Sequence, residues 1–252
     1  MVKGSAFLTA SVVALPLLLA AAFVAAVHAS AARRGLDRGH AVRSAGRAAA
    51  GVAAWLLLTG GLAAAGRLTF GMPPTVMVMI VVMLVLTVRL GFSPLGERLA
   101  LGVPLAALVG VQAFRLPLEL LLHRAYTEGL MPEQMSYSGL NFDIVTGVLA
   151  LVAAGLLAAG RLPRRGVAAW NAIGFVLLLN ILTIAILSTP TPLRVFDNEP
   201  ANTWIAAFPW VWLPAVMVPA ALLGHILVFR RLRAERAAAA ERAPVARTAV
   251  LA

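Results

Sequence analysis

The chain has 252 residues, 61% of them hydrophobic and 12% charged, with a mean hydropathy of +0.91. These values lie outside the range of soluble globular domains, and the absence of cysteine removes disulfides, thiolate metal sites and thiol redox relays. A net charge of +11 invites a nucleic-acid partner, but the basic residues gather in alternate connections between apolar blocks, which is the pattern of membrane orientation and argues against nucleic acid.

The apolar blocks run for roughly 17–25 residues, the length that crosses about 30 Å of hydrocarbon. They predict an all-α polytopic bundle of seven transmembrane helices in one membrane domain, residues 1–229, followed by a basic, alanine-rich tail, residues 230–252. The expected spans are about 6–28, 48–65, 74–90, 99–122, 144–160, 168–188 and 204–229. The polar–apolar alternation of a transmembrane β-barrel is missing.

Segments 29–47, 89–98, 161–167 and 230–252 hold sixteen Lys and Arg. The opposite connections hold four: Lys3, Arg67, Arg124 and Arg194. This bias predicts an outside N-terminus and an inside C-terminus. Arginine outnumbers lysine twenty to one and alanine is abundant; both suit a GC-rich bacterial genome and a bacterial cytoplasmic membrane.

Span one imitates a signal peptide, with Lys3, an apolar stretch and Val27-His28-Ala29. Cleavage there would export the loop with Arg33, Arg34, Arg38, Arg43 and Arg47, against the bias of every other loop, so the segment is read as a retained span. Gly51-Val52-Ala53-Ala54-Trp55 recurs as Gly166-Val167-Ala168-Ala169-Trp170. That match is the only hint of a parallel repeat of spans 1–3 as 5–7, and a composition this rich in Ala, Gly and Val produces such matches easily.

Span four carries the distinctive chemistry. Gln112, Arg115, Glu119 and His123 form one polar stripe on an otherwise apolar helix. Ionisable groups in hydrocarbon cost several kcal/mol unless paired or facing a wet cavity, so they mark a candidate site. Two readings stay open: an intrahelical Arg115–Glu119 pair that holds the bundle, and a pocket for a small anionic or carboxylate solute anchored by Arg115. In the following loop, Asn141 and Asp143 are placed to cap the fifth helix, with Asp143 facing Arg115 as the alternative. Thr146, Gly147, Ala150 and Ala154 form a close-packing stripe on span five.

On span six, Asn180 and Thr183 are read as interhelical hydrogen-bonding groups or as a pocket wall. Span seven opens with Trp204, Phe208, Pro209, Trp210, Trp212 and Pro214. Its tryptophans read as an interfacial belt, with Trp210 a candidate lining residue. Pro209, Pro214 and Pro219 are expected to kink the helix and free carbonyls.

Several chemistries are excluded or disfavoured. A retinal Schiff base needs a lysine in the last span, and the only lysine is Lys3. Paired axial histidines for a b-haem would have to be His28 and His225, each on its own near a helix end. The spacing of His123 and Glu128 resembles an acyltransferase box with Glu in place of Asp, without supporting context. No serine elbow, zinc motif or P-loop occurs. The chain is therefore expected to be non-enzymatic, with no cofactor and no metal.

Phe114-Arg115-Leu116-Pro117-Leu118-Glu119, Asn141-Phe142-Asp143-Ile144, Thr146-Gly147, Trp170-Asn171, Gly174, and Phe208-Pro209-Trp210-Val211-Trp212-Leu213-Pro214 together resemble a family of bacterial multi-span membrane proteins that carries no assigned activity. The likeness covers roughly the second half of the chain. It implies a membrane address and no biochemistry. The functional expectation is a solute- or ion-binding transporter or sensor, with an accessory subunit of a membrane complex as the alternative and a membrane-embedded enzyme ranked behind both.

Overall fold

The computed structural model describes the backbone of residues 4–250 and the side chains of residues 4–242; Lys3 and the side chains of the distal tail lie outside the described residues. Nine α-helices are described: α1 (Ala6–Arg33), α2 (Arg38–Ala64), α3 (Thr75–Phe92), α4 (Pro94–Gly102), α5 (Leu105–Gly110), α6 (Arg115–Thr127), α7 (Ile144–Ala158), α8 (Arg164–Leu187) and α9 (Val218–Val250). A 3-10 turn, Val111–Phe114, joins α5 to α6, and a π-helical turn, Leu213–Met217, leads into α9. No strand occurs among the described residues. Six helical segments are long and apolar enough to cross a membrane, and the apolar α7 is shorter.

The helix starts follow from local chemistry. Ser5 caps α1 by accepting from the Leu8 amide at 3.3 Å, and Asp37 caps α2 by accepting from the His40 amide at 2.9 Å. Gly35, at φ +72°, turns the chain between them. Pro94 stands in the first turn of α4 behind the Ser93 cap.

The expected fourth span is not one helix. Pro104 lacks an N–H and collides with the carbonyl four residues back, and it forces Val103 into an extended conformation at φ −89°, ψ 139°. The chain therefore breaks between α4 and α5 and resumes through the 3-10 turn into α6, where Pro117 sits harmlessly in the first turn. The carbonyls exposed at these breaks are taken up by α9. Arg231 Nη1 donates to the Leu101 carbonyl at 2.9 Å and to that of Ala100 at 3.4 Å. Arg230 Nη1 donates to the carbonyls of Gly91 at 2.6 Å and Ser93 at 3.1 Å, across the α3–α4 junction.

Span seven also starts later than expected. Residues 204–212 form a 3-10 turn and irregular backbone, and regular helix begins after the π turn. The proline expectation is met in a specific way. Pro219 cannot donate to the Ala215 carbonyl, and the Trp55 indole of α2 donates to it instead at 2.8 Å.

α9 is the hub, packed on α3, α4, α5 and α8, while α1 pairs with α2 and also reaches α4 and α6. α8 packs on both α7 and α9, whereas α2 leaves a cleft towards α3; the two helix triplets of the proposed repeat are not arranged alike. The helix ends sort onto two faces. Arg98 reaches Ser44, Arg230 reaches Glu97 and Arg164 reaches Glu235, which gathers the Arg-rich connections on a basic face. Ser5 meets Glu128, and Gln134 meets Ser188 and Asn198, on the opposite loop face. The outer surface of the helices is apolar, with Leu57, Val81, Leu151 and Val176 all more than half exposed.

If Arg230 and Arg231 close the two helix breaks, leucine at either position leaves carbonyls without a donor and costs about 1–3 kcal/mol. Thermal unfolding in detergent reads this as a lower midpoint, with lysine, a compact point charge, restoring only part. A midpoint unchanged by Arg231→Leu would mean that these carbonyls need no protein donor.

Candidate functional site

The polar residues of the interior come from the 3-10 turn, α6, the segment before α7, α8 and α9, and converge where two apolar clusters meet. One cluster, towards the loop face, contains Leu118, Leu122, Leu178, Met217 and Leu222; the other, towards the basic face, contains Val109, Ala150, Trp170, Leu223 and Leu227. Between them lie Gln112, Arg115, Glu119, Asn141, Asp143, Asn171 and His225, each no more than 3% exposed.

Arg115 opens α6, and its guanidinium is 1% exposed. Nη2 lies 2.8 Å from Asp143 Oδ2, a charge contact whose angles fall short of a hydrogen bond. Nη1 points the other way, 3.3 Å from the Gly174 carbonyl and 3.0 Å from His225 Nε2. A guanidinium only donates, so Nε2 accepts and the proton of the neutral imidazole sits on Nδ1. From there it is donated to Asn171 Oδ1 at 2.9 Å, and the Asn171 amide donates back to the His225 carbonyl at 3.1 Å. One chain of contacts thus runs from α8 through α9 to α6 and the start of α7.

The expected intrahelical pair does not form. Glu119 makes no ion pair with Arg115, whose carboxylate partner is Asp143, and its Oε2 accepts from Asn141 Nδ2 at 2.6 Å. The same amide reaches the Met135 carbonyl at 3.0 Å, and Asn141 Oδ1 accepts from the Asp143 amide at 3.1 Å. Asn141 therefore organises the turn before α7 and holds Glu119. Asp143 does not cap α7 with its side chain. Its Oδ1 accepts from the Thr146 hydroxyl at 3.0 Å and its Oδ2 meets Arg115, because burial makes pairing with a cation worth more than a helix cap.

Close backbone approach makes this possible. A Cβ at Gly174 would stand 2.6 Å from Thr146 Cγ2 and 2.8 Å from His225 Cε1. At Gly147 it would press into the backbone of Arg115 and Leu116.

The remaining candidates stand outside this chain of contacts. Gln112 is fully buried in the 3-10 turn and donates to the Ala221 carbonyl at 2.9 Å, while its Oε1 has no partner. His123 is half-buried at the loop face, stacked on Tyr137 with ring centroids 4.4 Å apart and bonded to Ser138 at 3.1 Å. Asn180 donates to the Leu140 carbonyl at 2.8 Å, in the turn before α7, so it ties α8 to that segment and not to another helix. Thr183 is exposed and bonds back to Leu179 on its own helix. Trp210 and Trp204 are each 1% exposed and pack against one another at 5.2 Å, in the core and not in an interfacial belt. The nearby cavity is apolar and holds only about 50 Å³, between Leu122, Met135, Leu178, Ile181 and Ile205; none of the charged residues lines it.

Two chemistries weighed from the sequence do not assemble. His28 is exposed on α1, whereas both ring nitrogens of His225 are engaged inside the bundle, so the two cannot share a haem. Glu128 binds Ser5 and Arg124, and His123 is engaged elsewhere. Among the described residues no group of three or more His, Cys, Asp or Glu is placed to hold a metal ion.

Sequence reasoning missed His225 and Asn171. The available signals were a histidine immediately after Gly224 on the last helix and an asparagine one turn into the sixth span.

Comparison with protein families gives one finding, a match of residues 72–233 to the model described as Domain of unknown function (DUF8737). The chain belongs to this family. No curated protein and no solved structure matches. The DUF8737 segment contains every residue of the buried cluster and runs from the approach to α3 to just past the Arg230 and Arg231 pair, leaving α1 and α2 outside it.

Two outcomes follow. Asp143→Asn leaves a buried guanidinium uncompensated and costs about 3–5 kcal/mol, while Glu119→Gln keeps the acceptor for Asn141 and costs about 1 kcal/mol or less. Thermal melts of the two variants check the order, and equal losses would restore an Arg115–Glu119 pairing. At the loop face, donors from Ser5 first, then Arg124, hold the Glu128 carboxyl down at about 2 instead of 4.5. A depressed carboxyl stabilises fully above its unfolded value, so the tie between α1 and α6 is intact at neutral pH and is lost as pH falls from about 4.5 to 2. Hydrogen exchange at residues 5–9 should rise across that window in the native chain and show no such pH step in Glu128→Gln.

Proposed function

We propose that the chain is a non-enzymatic accessory component of a membrane assembly, placed in a bacterial cytoplasmic membrane with its N-terminus outside and the basic face inside. The observation that carries this reading is that the Arg115 cluster is filled by the protein's own side chains. Arg115, Asp143, His225 and Asn171 contact one another, and none of them lines the apolar cavity beside Leu122 or the cleft between α2 and α3. A site built to exchange a solute needs space at its charges; a site built to fix helix positions does not. The grouping of arginines on one face supports the orientation.

A second reading is favoured by Gln112 Oε1, buried without a partner, and by Glu119, which meets no cation among the described residues. In it Arg115 is the anchor of a small anionic or carboxylate solute, with Glu119 as counter-charge and proton acceptor, in a transporter or sensor. Opening then requires Arg115 to exchange Asp143 for the solute.

Native mass spectrometry of the gently purified protein separates the two. The accessory reading expects a stoichiometric partner polypeptide, and a chain recovered alone overturns it. A thermal shift with acetate that disappears in Arg115→Leu would support the solute reading; no shift in the native chain overturns it.

A further inference from the structure

A second, larger cavity is remote from the Arg115 cluster. It is a cleft of about 430 Å³ between α2 and α3, floored by α1 and α9 and lined by Leu19, Phe23, Trp55, Met83, Leu90 and Leu223 among others. Its volume falls in the range of sites for small and single-chain ligands, and its walls are apolar throughout except for the Trp55 indole, already donated to Ala215, and the Thr87 hydroxyl, turned back to Met83.

The end of the cleft towards the basic face is different. The cleft-lining face of α2, Ala48, Gly51 and Val52, reaches Ser44 one turn earlier. On α4 the lining residue Leu95 is followed one turn later by Arg98. These two meet: Arg98 Nη2 donates to Ser44 Oγ at 2.5 Å. Arg98 forms no ion pair among the described residues, and its buried Nε has no acceptor. The adjacent acid, Glu97, is turned to Arg230. Exposed Arg47 and Arg89 flank the same end, also without ion pairs among the described residues. An apolar slot in the hydrocarbon thus terminates in uncompensated cationic charge at the membrane surface.

We infer that this cleft is a binding site for an anionic phospholipid of the basic-face leaflet, with one acyl chain between α2 and α3 and the headgroup phosphate on Arg98, flanked by Arg47 and Arg89. Charge complementarity selects the occupant. A zwitterionic lipid brings its own cation and gains less from Arg98, and a bare partner helix would leave the guanidinium unpaired beside its apolar face. Gly51 borders open space in the slot, since a Cβ there meets nothing within 4 Å, so a larger side chain can enter the cleft from α2.

The test uses the full chain in detergent with dioleoyl phosphatidylglycerol or dioleoyl phosphatidylcholine, read by native mass spectrometry as lipid retained under activation. Phosphatidylglycerol is expected to be retained in preference to phosphatidylcholine, and Arg98→Gln to lower its retention about fivefold, the worth of one surface arginine. Gly51→Phe, which fills the slot from α2, is expected to abolish retention of the tight lipid while leaving the thermal midpoint unchanged. Arg233→Gln, a basic-face change outside the cleft, is the control and should leave retention as in the native chain. The proposal is overturned if Gly51→Phe retains phosphatidylglycerol as the native chain does, or if Arg233→Gln lowers retention as much as Arg98→Gln.

Discussion

A guanidinium at 1% exposure inside an apolar bundle cannot be left alone, since an uncompensated charge there costs several kcal/mol. Much of the architecture of the second half of the chain can be read as the means of compensating it. The segment between α6 and α7 does not stay at the surface but packs inward, with Met131, Met135, Ser136 and Asn141 buried, and so delivers Asp143 to Arg115. α8 and α9 approach closely enough at Gly174 for the imidazole of His225 to accept from the other side of the guanidinium. The charge specifies a register for four elements at once. Apolar packing alone, which tolerates sliding of one helix on another, would specify it less sharply.

The second organising constraint is the missing N–H of proline. Pro104 breaks what would otherwise be one span, and Pro219 releases a carbonyl within the last one. In a membrane interior such carbonyls need protein donors. The chain supplies them from distant positions: Arg231 for the first break and the Trp55 indole for the second. These long-range bonds tie α2, α4 and α9 together more firmly than apolar contact would.

How much of this was legible in the sequence depends on whether local pattern or tertiary pairing decides. Hydrophobic block length located the helical segments, and the stripe at Gln112, Arg115 and Glu119 located the interior site. Spacing along one helix suggested Glu119 as the partner of Arg115, with Asp143 only as the alternative; the partner is Asp143, because i,i+4 proximity counts for little against a carboxylate delivered from another element. His225 was weighed only as a haem ligand and not as a neighbour of Arg115, since a lone histidine near a helix end has no periodic signature. The tryptophans at 204 and 210 resembled an interfacial belt, but the irregular backbone ahead of Leu213 carries them into the core. Prolines were legible as breaks; the residues that would repair those breaks were not.

The shortness of α7 has a consequence for the proposed membrane placement. Fifteen residues rise only about 22 Å, well short of a hydrocarbon core of about 30 Å, because the turn before the helix is drawn inward by Asn141 and Asp143. If the bundle spans a bilayer as proposed, the bilayer would have to thin beside this one helix, at fractions of a kcal/mol per Å, while beside α1 and α2 it would not. The collar of lipid would then be uneven, and that asymmetry would bias which side of the bundle neighbours approach.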